Sequence, residues 1–183
     1  MVTVRGVLDD AGMEHGIPEI SLGSRAGECA TEYEEVRPTA FHCEGTIHMP
    51  RQWVLSDLGV NEESHLVLLA HEYGHHVQRL SGVLRASAER ADESAESFPE
   101  SLRGTRRKEL QAECFAGMFV ARAVEDGLLD RRRAVRLVET PGSAKMADTH
   151  GSPANQRRWR KAGFREGSTS ACATWTAPND AVR

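Results

Sequence analysis

The feature that limits this chain most is His71-Glu72-Tyr73-Gly74-His75, an HExxH pentad set inside a stretch of helical periodicity. On an α-helix a spacing of four turns two imidazoles only about 40° apart around the axis, so both can reach one ion. The helix announces its own ends. Asn61 is an N-cap, Glu62 and Glu63 bring negative charge to the positive end of the helix dipole, and Gly82 stops it after about Leu80. Leu66, Leu69, Ala70, Tyr73, Val77 and Leu80 recur at the 3.6-residue period and form one apolar stripe. The two histidines lie nearly opposite that stripe, so one side of the helix faces a core and the other a cleft.

Two neutral imidazoles and one carboxylate suit zinc, leaving a fourth position for water whose pKa falls toward 7. Glu72 adjoins His71, within reach of that water's proton. The pentad alone is modest support, because eight His and 19 Glu produce one by chance in roughly 4% of shuffled chains. A second helix strengthens it. It is expected from Thr105 to about Asp126, ended by Gly127, with Leu110, Phe115, Met118, Phe119 and Val120 buried. Glu109 and Glu113 share one face of it with Ala116, Gly117 and Val120. Two carboxylates on a semi-apolar face need a cation or a partner to be buried. Glu109 as third ligand, and Glu113 accepting the other N–H of His71, would meet both needs; two solvated glutamates are the alternative.

Metzincin spacing is excluded, since the Gly and His required seven and ten residues after the first His are Gln78 and Ser81. Cysteine zinc clusters are disfavoured too, because none of the four cysteines forms a CxxC. Cys29 and Cys43 bracket a loop that a disulfide would close, contributing about 3 kcal/mol in the chain-entropy picture; reduced, buried cysteines are the other reading. With 183 residues, 39% of them hydrophobic, the chain is expected to form one domain over residues 1–183. Its net charge of -4 argues against nucleic acid or an anionic membrane as main partner. The longest apolar run, Leu66 to Ala70, is far below the roughly 20 residues of a membrane span. The N-terminal residues show no export-signal pattern, so either export has no visible signal or the signal lies outside this chain.

Elsewhere the signals are weaker. Ile17 to Leu22 reads as a short strand, and Thr46 to Met49 as another, stopped by Pro50 and suited to a sheet edge. Short helices are expected over Trp53 to Leu58 and Arg131 to Val138. A polar insertion from Arg85 to Lys108 is a lid or a solvated connection. Beyond Pro141 the chain is expected to be irregular, with an extended tail from Gly167 to Arg183. His76 points about 100° away from His75 and is expected to make a structural hydrogen bond; His42, His48 and His65 are surface or core residues. Gln78 either touches substrate or supports the helix, and Gly74 either admits a close backbone or is merely tolerated.

Three segments, HEYGHHVQ (71–78), ELQAECFAG (109–117) and DTHGSPANQR (148–157), resemble in the same order those of the neutral zinc metallopeptidases of bacteria, a gluzincin-like group. The similarity runs from about Cys29 to Cys172. It implies an α+β, zincin-like fold, mainly helical with a small β-sheet beside the HExxH helix. It implies Zn2+ held by His71, His75 and Glu109, with Glu113 behind His71 at a position usually filled by Asp. It also suggests that His150 lies near the metal, where it would donate to the oxyanion of the reaction with Asp148 orienting it; an exposed loop histidine is the alternative. The same resemblance pairs Cys114 with Cys172 and Cys29 with Cys43, which favours an extracytoplasmic or secreted protein.

The expectation is thus a zinc-dependent peptidase in which Glu72 is the base and the partner is a protein or peptide substrate. No nucleic acid and no transmembrane segment enter this reading. Two rivals remain: a zinc-stabilised binding module without catalysis, and an intracellular regulatory protease that cuts one partner.

Overall fold

The computed structural model describes residue 12 and residues 16–23, 39–94 and 98–183. These residues form an α+β architecture, mainly helical, with a three-stranded sheet beside the HExxH helix. Strands β1 (Glu19–Ser21), β2 (Phe41–Cys43) and β3 (Thr46–His48) lie in the order β1-β3-β2, with β1 parallel and β2 antiparallel to β3. The hairpin between β2 and β3 turns on Glu44 and Gly45, whose φ values of 47° and 89° are what a two-residue primed turn demands. β3 is therefore the central strand and not the edge. Pro50 causes no loss there, because Met49 and Arg51 make the N–H bonds to Ser21 and Leu22 while β2 has already ended opposite His48.

Helix α1 (Arg51–Leu58) leads into α2 (Glu62–Leu80), which starts and stops where its sequence signals stand. The Asn61 side chain accepts from the Ser64 N–H at 2.9 Å, and Gly82 takes a φ of 76° just past the end. Next come α3 (Val83–Ser94) and α4 (Phe98–Glu125). The expected cap at Thr105 is not one: its hydroxyl donates to the Ser101 carbonyl four residues back, a bond made within a helix. The described residues of the stretch read as a polar insertion thus belong to α3 and the first turns of α4.

The chain does not turn irregular after Pro141. Beyond α5 (Arg131–Glu139) lie the short α6 (Ala147–His150) and the 14-residue α7 (Pro153–Glu166). Its signals are local. Ser152 accepts from Asn155 N, Pro153 sits at the first turn, and Gly167 closes it in the left-handed region. The tail is not extended either: short 3-10 turns at Thr169–Cys172, Thr174–Thr176 and Asn179–Val182 pack it down. Side chains of the helices satisfy its carbonyls, Gln111 donating to Cys172, Arg107 to Ala177 and Trp159 to Ala181. A disulfide joins Cys114 of α4 to Cys172, as the resemblance implied. Cys29, the expected partner of Cys43, lies outside the described residues.

Tyr73 and Val77 of α2, Phe115, Met118 and Phe119 of α4, and Ile47 and Met49 from the sheet side build the main core. Leu66, assigned to the same stripe, is instead exposed. Two close approaches position the helices. A Cβ on Gly74 would stand 2.9 Å from the Ala112 backbone, so the glycine is what lets α2 meet α4. Where α4 crosses α7 the contact is reciprocal: a Cβ on Gly117 would meet the Arg160 carbonyl at 1.9 Å, and one on Gly163 the Cys114 carbonyl at 1.9 Å. Gly163→Ala should therefore cost about 3 kcal/mol or more, at the upper end of overpacking effects. Gly104→Ala, with nothing near its Cβ, should be neutral or stabilise by up to about 1 kcal/mol. Urea melts of the two variants check this; equal stabilities would mean the crossing is looser than described.

Candidate metal centre

α2 turns His71 and His75 toward α4, and α4 presents Glu109 to them. The Glu109 Oε2 atom lies 3.2 Å from His71 Nε2, 3.0 Å from His75 Nε2 and 3.2 Å from His150 Nε2. Three imidazoles from two elements therefore gather on one buried carboxylate oxygen. Taking one ligand atom from each of His71, Glu109 and His150, all lie within 4.8 Å of one another. The two HExxH rings are nearly perpendicular with centroids 4.8 Å apart, and His150 stacks on His71 at 5.8 Å. His150 is the last residue of α6.

Behind the rings, partners fix which nitrogen carries a proton. Gln78 is fully buried, and its amide N–H groups donate to the Lys108 carbonyl at 2.8 Å and to Gln111 Oε1 at 3.0 Å. Its Oε1 is then an acceptor, so the 2.9 Å contact with His75 is an Nδ1–H donation, which leaves the Nε2 lone pair facing Glu109. Of the two roles open to Gln78, supporting the helix is the one observed.

His71 is held less tightly. Its Nδ1 is 3.4 Å from Glu113 Oε1, so the expected partner is in place, at a distance longer than an ordinary hydrogen bond. Glu113 is held from its other side, where Oε2 receives Arg160 Nε at 2.8 Å and Nη2 at 2.7 Å. Burial would raise the Glu113 carboxyl, but Arg160 and then His71 hold it at about 2. Burial likewise acts upward on Glu109, and His75 and His71 drag it well below the usual carboxylate range. His71 shows the counterpart: burial lowers it, yet Glu109 and Glu113 raise it well above the ordinary imidazole value. Glu109 Oε1 also pairs with Lys108 Nζ at 3.3 Å, while its Oε2 and the imidazole Nε2 atoms that face it form a donor set suited to a cation.

Glu72 is 5% exposed and its Oε2 has no hydrogen-bond partner. Burial raises its carboxyl, with Glu109 adding and His75 and His71 opposing. The expected contact of Asp148 with His150 is not made. His150 Nδ1 meets the Thr149 hydroxyl at 2.8 Å, whereas Asp148 uses its backbone carbonyl to accept from Arg106. Sequence reasoning also missed Arg160, because a basic residue on a polar helix ordinarily faces water and this one is 2% exposed.

A second histidine pair lies on the back of α2. His76 meets the Gly16 carbonyl at 2.8 Å through Nε2 and His42 at 3.3 Å through Nδ1. This is the structural role expected of His76. Burial first, then His76, His75, Arg79 and His48, lower His42 to about 3. Because the unfolded chain takes up that proton near the ordinary value of 6.5, the contribution of His42 to stability is complete above pH 6.5 and declines as the pH falls toward 3. Thermal midpoints of chelator-treated protein should drop over that window, and less steeply for His42→Gln; parallel slopes would exclude His42 as the source.

The comparisons with known proteins come to the same region. A family model described as Putative neutral zinc metallopeptidase matches residues 55–175. Uncharacterized protein YpfJ of Escherichia coli strain K12 is 30% identical over 122 residues, which is 59% of this chain and 42% of YpfJ. Uncharacterized protein Rv2575 of Mycobacterium tuberculosis strain H37Rv is 31% identical over 134 residues, 60% of this chain and 43% of that protein. The chain thus aligns with less than half the length of these curated relatives. No solved structure matches it.

Proposed function

Because the chain belongs to the Putative neutral zinc metallopeptidase family, we propose that it is a zinc-dependent peptidase whose ligands are His71, His75 and Glu109 and whose base is Glu72. One observation carries the proposal: both HExxH Nε2 atoms lie within 3.2 Å of a single Glu109 oxygen. The donor set fits the ion, two imidazoles and a carboxylate being common zinc ligands, and the buried Glu72 Oε2 beside it has no hydrogen-bond partner among the described residues. Zinc supplies Lewis acidity, polarising a carbonyl and lowering the pKa of water toward 7.

The protein's own groups do the rest. Glu72, with its raised carboxyl and free Oε2, takes the proton of the attacking water and returns it to the leaving amine. Gln78 keeps the His75 proton on Nδ1. His150 donates to the developing oxyanion, an N–H worth roughly 10²- to 10³-fold in kcat. The test is digestion of casein by purified protein: cleavage should stop when a chelator removes the metal and return with zinc. Casein left intact by fully zinc-loaded protein would reject the proposal.

A second reading draws on one specific contact. His150 Nε2 lies as near Glu109 as His71 does, and a His71, His75, Glu109 and His150 set would close the site like a structural zinc, without a position for water. His150→Ala separates the two. The peptidase reading expects unchanged zinc content and a kcat lower by about 10²-fold or more; zinc lost from a protein that never cleaved favours the binding module.

We also propose an extracytoplasmic setting, on the strength of the Cys114–Cys172 disulfide. Among the described residues no helix is long and apolar enough to cross a membrane. Four free thiols in protein taken from its native compartment would reject this setting in favour of the intracellular reading.

A further inference from the structure

We propose that Arg160 is a positioning residue for the metal site, acting through Glu113 to aim the His71 ring; this rests on the zinc reading above. Arg160 comes from α7, not from the two helices that carry the HExxH and glutamate ligands. Its side chain runs inward, and the residue is 2% exposed. Nε and Nη2 both donate to Glu113 Oε2, at 2.8 and 2.7 Å, and Nη1 donates to the Thr140 carbonyl at 2.9 Å. Burying a guanidinium is costly, and hydrophobic replacement of a buried ion pair is often neutral or stabilising, so fold stability alone is a poor reason for it.

The geometry of the pair indicates another use. An arginine that only neutralises a carboxylate does so best as a fork, with one N–H to each oxygen. Here both N–H groups fall on Oε2, and Oε1 is left pointing at His71 Nδ1, 3.4 Å away. Glu113 is thereby anchored on one oxygen and offered by the other. An acceptor behind Nδ1 keeps the proton there and the Nε2 lone pair toward the ion, as Gln78 does for His75. The anchor is itself fixed, because the Arg160 carbonyl occupies the space beside Gly117 where α4 and α7 touch. His71 and His75 are thus steadied from two directions by unrelated groups.

The test is a double-mutant cycle on zinc affinity, read by competition with a chromophoric chelator. It compares wild type, Glu113→Gln, Arg160→Met and the double variant. If Arg160 acts through Glu113, each single change weakens zinc about 10- to 100-fold, the range for groups behind a ligand, and the double variant binds no more weakly than Glu113→Gln. The Co2+ absorption spectrum of Arg160→Met should shift with it, because the His71 ring loses its aim.

Additive losses, or an Arg160→Met protein with wild-type affinity and spectrum, would overturn the proposal. Should Arg160→Met fail to fold, Arg160→Lys decides. It keeps the charge but not the paired donors, and should weaken zinc in the wild-type background while leaving the affinity of Glu113→Gln unchanged. A wild-type protein that binds no zinc would instead sink the zinc reading itself.

Discussion

Glu72→Gln protein should bind zinc like the wild type and hydrolyse peptides about 10²- to 10⁴-fold more slowly, the span attributed to a positioned general base. The change removes the proton acceptor and keeps the side chain's size. Nothing in the ligand set moves, because Glu72 touches neither Nε2 that faces Glu109. The residue is 5% exposed and its Oε2 has no partner, so the new amide nitrogen is left unsatisfied, at about 1 to 3 kcal/mol of stability. The measured loss must therefore be taken on folded, zinc-loaded protein, with metal content determined beside kcat. Hydrolysis surviving within tenfold would remove Glu72 from the chemistry.

Glu109→Ala should lose more than about 100-fold in zinc affinity, exceeding the 10- to 100-fold range for a residue that only supports a ligand. This residue is the point on which the site converges. Its Oε2 is the common neighbour of His71, His75 and His150. Without it the two HExxH imidazoles remain but lose the negative charge that balances the ion. Chelator competition and metal analysis after dialysis give the affinity, and casein cleavage should vanish in parallel. Undiminished zinc in this variant would move the third ligand elsewhere, His150 being the nearest candidate.

How much of the molecule was legible in its sequence depends on the range of the interactions involved. Helix α2 was legible because its determinants are local: Asn61, the acidic first turn, the apolar period and Gly82. The convergence of Glu109 on the histidines was legible because two carboxylates on a semi-apolar face cannot be buried without a cation or partner. Arg160 left no such trace. Its inward turn depends on the crossing of Gly117 and Gly163, 46 residues apart in the chain, and no window of sequence contains both. α7 went unread although Ser152, Pro153 and Gly167 mark its ends, because a helix rich in Arg and Lys has little apolar period to display. Thr105 misled for the opposite reason, a good capping residue whose hydroxyl turns back to Ser101 inside a longer helix. For His150, Asp148 was the plausible orienting group by charge, but the short α6 sets Thr149 against the ring instead.

The central claim is that one zinc ion sits where α2 meets α4. Anomalous diffraction collected on both sides of the zinc absorption edge, from crystals grown with Zn2+, tests it most directly. The predicted result is a single strong peak about 2 Å from His71 Nε2, His75 Nε2 and a Glu109 oxygen. A map with no peak there, or with its peak at other residues, would contradict the account.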